Sequence, residues 1–400
     1  MINKTTATPL RIAYFSPLPP ARSGISDYSR ELLPHLARHA QITLFADDPA
    51  QVDPALHAQF PIYSLTDYPS QRWQYDLPLY HLGNSVQYHE TTYQLFTRFP
   101  GVVVLHDFIW HKFLRHRAVL LGKLPDYTRE LGFALGQEGI NRAWQFRKGE
   151  YTPSTNEYPL IDRLLTLCLG LIVHSQFAAR QIPPINRPVR VIPALIESHA
   201  GHNLRAQLNW PDDAVIFASI GHVTANKQVD FALQAFQKVQ LQFPQARYLI
   251  VGQEEPNIHL QEQIDALNLA DVARAIGYIP SLQAFVDWIH SADVIVNLRH
   301  PTIGETSAAA LRAMAAGRPV IVFDQGWYSE LPDAGCMKVA PMDADALALT
   351  MQQLASDAAL RQRIGEAART YTQDVCAPAQ VAAQYGRFLH EIYASYQPGP

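Results

Sequence analysis

Short apolar runs bounded by turn residues recur along the first half of the chain: RIAYFS (11–16), ITLFA (42–46), LPLYHLG (77–83), VVVLHD (102–107), LGLIVHS (169–175) and VRVIP (189–193). Runs this short with no polar face predict strands buried on both sides, as in a parallel sheet. Between them the period becomes helical: in ISDYSRELLPHLARH, Ile25, Tyr28, Leu32, Leu33 and Leu36 share one face. The same grammar restarts with AVIFASIG (214–221), ARYLIVG (246–252), ARAIGYI (273–279), DVIVNL (293–298) and PVIVF (319–323), alternating with helical stretches such as VDFALQAFQKVQLQF. Two successive βα arrays predict an α/β protein with two doubly wound domains. The expected divisions are 1–193, 194–375, and a final helix within 376–400 that crosses back to the first domain. Ligands of such sheets sit beyond the carboxyl ends of the strands, so two facing domains would share one cleft.

The segment from Val294 to Val322, VIVNLRHPTIGETSAAALRAMAAGRPVIV, reads as strand, polar loop, helix, strand. Gly304 permits a tight turn, Thr306 or Ser307 can cap the helix, and Gly317 ends it. A helix starting there aims free N–H groups and the positive end of its dipole beyond the strand ends, which suits a phosphate. Glu305 stands at that junction. GHVTANKQVD, after the first strand of the second array, adds His222 and Lys227, both able to meet a diphosphate. In the first array, PLPPARSGISDYS places Gly24 before a helix that Ser26 or Asp27 could cap, and His106-Asp107 follows VVVL, where His106 could donate to a sugar hydroxyl.

Composition narrows the class. Of the 400 residues 48% are hydrophobic and 17% charged, which describes a globular protein, and a net charge of −4 argues against nucleic acid as a partner. Cys168, Cys336 and Cys376 form no CxxC pair, so neither a disulfide framework nor a zinc site is signalled. No stretch approaches the ~20 apolar residues of a membrane span. The expected location is the cytoplasm, at most peripheral to a membrane. Asp343 and Asp345 have metal-binding spacing but precede a helical pattern, so capping is expected of them and no metal site is assigned. No dinucleotide, P-loop or nucleophile-elbow motif follows any strand.

Taken in order, these segments resemble glycosyltransferase family 4, retaining enzymes of the GT-B fold with two Rossmann-like domains and a nucleotide-sugar in the cleft. PLPPARSGISDYS resembles the family's first glycine loop, VVVLHD its strand ending in a His near the transferred sugar, and LIVHSQFAARQI the last strand and helix of the acceptor side. GHVTANKQVDFALQAF is similar to the phosphate-binding strand and Lys, and ETSAAALRAMAAGRPVIV to the donor helix. The family usually carries two glutamates eight positions apart. Here the second position is Arg312 and the first Gly304, with Glu305 one place late, as in a branch with a GETS-type loop. His222 stands where the family often has Arg.

The resemblance implies a hexosyltransferase-like enzyme (EC 2.4) that moves a sugar, with retention, from a nucleoside-diphosphate donor to a hydroxyl acceptor in glycan or polysaccharide biosynthesis. His106, Lys227 and Glu305 would be catalytic. Gly24, His222, Lys227, Ile279, Gly304, Glu305, Thr306 and Ser307 would bind the donor, with neither metal nor cofactor required. Two alternatives are a nucleotide-sugar 2-epimerase of the same fold, which needs additional carboxylates, and a non-enzymatic nucleotide-sugar-binding protein. The segment 108–123, FIWHKFLRHRAVLLGK, mixes aromatic and basic residues without a carboxylate. It suggests a weak contact with an anionic membrane and a saccharide or lipid-linked saccharide acceptor.

Overall fold

The computed structural model describes residues 9–152, 154 and 157–396; 1–8 and 397–400, the outer ends of the first and last predicted divisions, lie outside the described residues. The chain forms two compact units. One holds the residues up to Leu195, Ile303–Thr306 and the chain from Pro378 onward; the other holds Ile196–Thr302 and Ser307–Ala377.

The first unit is built on strands β1 (Leu10–Phe15), β2 (Ala40–Ala46), β3 (Ile62–Ser64), β4 (Leu77–Leu82), β5 (Val102–Leu105), β6 (Gly170–Val173) and β7 (Val189–Val191), in the order β3-β2-β1-β4-β5-β6-β7. Every pairing is parallel. Side chains alternate between two buried faces: Leu10, Ile12 and Tyr14 enter one core, Ala13 and Phe15 the other. That double burial explains why the strands read as unbroken apolar runs. Helix Gly24–Leu36 buries Tyr28, Leu32, Leu33 and Leu36. The last helix, Pro378–Tyr396, lies against it and adds Val381, Tyr385, Phe388, Leu389 and Ile392 to the same core. Each such side chain contributes on the order of 1.5–3 kcal/mol through burial.

The second unit repeats the winding with β8 (Ile216–Ile220), β9 (Arg247–Val251), β10 (Ala273–Gly277), β11 (Val294–Val296), β12 (Val320–Phe323) and β13 (Met337–Val339), ordered β10-β9-β8-β11-β12-β13. All pairings are again parallel. Asp343 caps the helix Ala344–Ser356, its Oδ1 accepting from Ala346 N at 2.9 Å, and Asp345 pairs with Lys238. In both sheets the winding direction reverses beside the first strand, between β1 and β4 and between β8 and β11, and a ligand crevice opens at the carboxyl ends beside such a reversal.

Two readings of the sequence change here. Ser23 caps the first helix, its Oγ accepting from Ile25 N at 3.3 Å, in place of Ser26 or Asp27. In 108–123 the side chains of Phe108, Ile109, Trp110, Phe113 and Leu114 are core residues. Arg117 is also buried, held by Glu90 at 2.5 Å and Asp126 at 3.3 Å, so it leaves the exposed basic set. The carboxylates that neutralise it come from other helices, which a reading of 108–123 alone misses. No described helix is long and apolar enough to cross a membrane.

Candidate functional site

All the candidate residues follow the carboxyl ends of their strands: Gly24 after β1, His106 after β5, His222 and Lys227 after β8, Ile279 after β10, and Gly304 to Ser307 after β11. Their surroundings differ. Gly24 and His222 are exposed, and Ile279 is half-buried beyond the edge strand.

In the second unit, β8 runs into Gly221, whose φ of +118° a side chain would strain. A Cβ there would lie 2.7 Å from Lys227 Nζ, so the missing side chain leaves room for the ammonium over the strand end. Lys227 closes the short turn Ala225–Lys227. That turn is tied to the loop after β11: His300 N donates to Asn226 O at 2.7 Å and Gln228 Nε2 to His300 O at 2.9 Å. Farther along, Ser307 caps the helix Ala308–Ala315, its Oγ accepting from Ala310 N at 3.2 Å. Thr306 is not the cap. Arg312, on that helix, is buried.

Ile303–Thr306 belongs to the first unit. Gly304, at φ +80°, lies against Phe108, two residues beyond His106, and a Cβ would come within 2.8 Å of Phe108 Cβ. Glu305 is buried, and its Oε2 accepts from Ile303 N at 2.7 Å, which shapes the loop locally.

His106 stands in a row of histidines that no single segment announced. His81 Nδ1 is 3.0 Å from His106 Nε2, His106 Nδ1 is 3.2 Å from His174 Nε2, and His174 Nδ1 is 2.9 Å from Ile192 O. Both His106 nitrogens are therefore engaged, and it cannot donate to a sugar hydroxyl without breaking its bond to His174. This corrects the role expected of it. The ring of Tyr28 meets His106 edge-on with centroids 4.9 Å apart, and the Tyr28 hydroxyl is 2.8 Å from that of Tyr385 on the last helix. The available signal was a His at the end of each apolar run in LPLYHLG, VVVLHD and LGLIVHS, which β4, β5 and β6 set side by side.

Burial disfavours charge on these rings. It depresses His81 and His106 well below the usual histidine value, with repulsion from His174 adding to both, and it lowers His174 to about 4 and the neighbouring His89 to about 3. A depressed folded value means that the unfolded chain takes up protons first. Stability is thus fully present above about pH 6.5 and is lost as the pH falls below it, by about 1.4 kcal/mol per pH unit for each such histidine until its folded value is reached. Melting temperatures measured from pH 7.5 to 4.5 should fall steeply below 6.5, and less steeply in His89→Gln. A flat profile would show these rings to be solvated.

Residues 202–371 match the family described as Glycosyl transferases group 1. Over 165 residues the chain is 26% identical to an uncharacterized glycosyltransferase of Methanocaldococcus jannaschii, a match spanning 40% of this chain and 41% of that relative. The fold is similar to sucrose-phosphate synthase from Thermosynechococcus elongatus (TM-score 0.68, 19% identity, 96% of this chain and 100% of the other). It is also similar to Anabaena HepE solved with UDP and glucose (0.69, 15%, 96% and 100%) and to WaaG, a glycosyltransferase involved in lipopolysaccharide biosynthesis (0.62, 12%, 95% and 99%). These likenesses show the GT-B fold. The match to the group 1 family lies in residues 202–371, nearly all of them in the second unit.

Proposed function

We propose that the protein transfers a sugar, with retention, from a nucleoside-diphosphate sugar to a hydroxyl acceptor in glycan biosynthesis. The observation that carries this reading is the Lys227 ammonium held over Gly221 at the end of β8, inside the segment that matches the family. Negative charge builds on the diphosphate as the glycosidic bond breaks, and a preorganised cation with the capped helix at Ser307 stabilises it. Glu305 orients sugar hydroxyls. His106, neutral and held by its neighbours, marks the sugar-facing strand end of the first unit. Retention follows if the acceptor attacks the face that the phosphate leaves and the phosphate takes its proton. HepE, similar in fold, was solved with UDP and glucose, which makes UDP-sugars the first donors to try.

Incubation with a panel of nucleotide-sugars should release nucleoside diphosphate slowly from one of them. The same donor should raise the melting temperature, since a ligand at a hundred times its Kd adds about 2.7 kcal/mol of stability. Stabilisation without any turnover would make the protein a binder, and neither effect with any donor would remove the reading.

The acceptor is proposed to be a saccharide presented at or near an anionic membrane. The support lies at the far end of 108–123: Val119, Leu120 and Leu121 are 63%, 69% and 45% exposed, with Lys123 exposed beside them. A groove lined by Leu124, Pro125, Ala143, Trp144 and Arg147 follows directly. Apolar tips flanked by cations suit an interfacial contact, each cation contributing on the order of 1 kcal/mol at low salt. Wild-type protein should co-sediment with anionic vesicles at low salt, and both high salt and Leu120→Asp should release it. No binding at low salt, or binding indifferent to Leu120→Asp, would leave a freely diffusing acceptor.

A further inference from the structure

The hydrogen bonds around His106 run in a single direction. Ile192 O has no proton to give, so His174 Nδ1 must donate to it. A neutral His174 then has a bare Nε2, which can only accept; the proton between it and His106 therefore sits on His106 Nδ1. That leaves His106 Nε2 bare, so the proton of the next bond sits on His81 Nδ1. The row ends at His81 Nε2, which has no hydrogen-bond partner among the described residues. The rings of Tyr14, at 4.7 Å between centroids, and Tyr385, at 6.3 Å, pack on His81 from β1 and the last helix. Three consecutive rings thus carry their protons on Nδ1, opposite to the preference of a free histidine in water.

We propose that His174 is a positioning residue: anchored on the Ile192 carbonyl, it sets the proton positions of His106 and His81 and so holds His106 as an oriented neutral ring, its Nδ1 donating to His174 and its Nε2 accepting from His81. With both nitrogens engaged, a ring in this state offers no proton to a phosphate oxygen. The anchor, all three rings and the packed tyrosines belong to the first unit. The functional meaning rests on the transferase reading given above; the proton order does not.

Nitrogen-15 histidine spectra of the ligand-free protein test the order directly. His81, His106 and His174 should each show a protonated Nδ1 and a bare Nε2, and a proton on Nε2 of His106 or His174 would overturn the proposal. Two variants of nearly equal size separate positioning from packing. His174→Gln places an amide oxygen where Nε2 stood and keeps an acceptor for His106, whereas His174→Asn reaches only toward Ile192 and loses it. In folded samples, verified by their melting curves, the His106 Nδ1 proton should stay protected from solvent exchange in the Gln variant and exchange at least about tenfold faster in the Asn variant, the effect of losing one hydrogen bond. Equal exchange in the two variants would overturn the assignment. With a hydrolysed donor, kcat should fall about tenfold in the Asn variant alone, at little changed KM. Correct proton positions and exchange with equal kcat in both variants would instead count against His106 as part of the transferase site.

Discussion

Lys227→Ala is expected to lower kcat by roughly a hundredfold or more, on the scale of about 2.7–4 kcal/mol for one preorganised charge stabiliser, with an almost unchanged melting temperature. The two halves of that expectation come from different observations. Lys227 is half-buried in a turn whose backbone is held by His300 through Asn226 and Gln228, so removing its side chain leaves that scaffold in place. Its ammonium is aimed over the end of β8, where Gly221 makes space for it. Initial rates with any donor that the wild type hydrolyses, together with a melting curve, check both halves. Near-normal turnover in a folded variant would take Lys227 out of the phosphate site.

Glu305→Gln should remove most of the activity as well, again by about a hundredfold, while the fold survives. The Oε2 atom accepts from Ile303 N, and the amide oxygen of a glutamine can keep that bond, so what changes is the charge and one acceptor. Arg312→Ala is expected to behave differently. The side chain is buried at 7% exposure on the helix Ala308–Ala315, so its loss should cost about 1–3 kcal/mol of stability and act only weakly on donor KM. Full kinetics and melting curves for both variants separate the cases. A large kcat loss in Arg312→Ala at unchanged melting temperature would assign that arginine to the donor.

Where the sequence signal was local, the structure reproduces it. The runs at 11–16, 42–46, 77–83 and 102–107 became strands because both faces of the sheet are covered, and an apolar run is what such burial demands. The strands missed were β3 and β13, three residues each at the sheet edges, where one side of the strand has no neighbour and little hydrophobic pattern is needed. The Lys227 turn and the Ser307 cap were legible for the same reason: strand, turn and helix start lie within a dozen residues, so glycine, cation and hydroxyl spacing carries the geometry.

The chain's own pattern therefore determined the α/β class, the parallel sheets, the strand ends that the candidate residues follow, and the residues that resemble a nucleotide-sugar site. Tertiary structure alone decided which polar groups meet. His81, His106 and His174 are 25 and 68 positions apart in consecutive steps, and only the order β4-β5-β6 brings their nitrogens within 3.0 and 3.2 Å. Arg117 looked like an exposed cation until Glu90 and Asp126 came to it from other helices, and Tyr385 reached Tyr28 across 357 positions. Periodicity reports which face of an element is buried because burial acts on each element by its own residues. A hydrogen bond or ion pair depends on a few tenths of an ångström between elements, and that distance is set by packing, which no local pattern encodes.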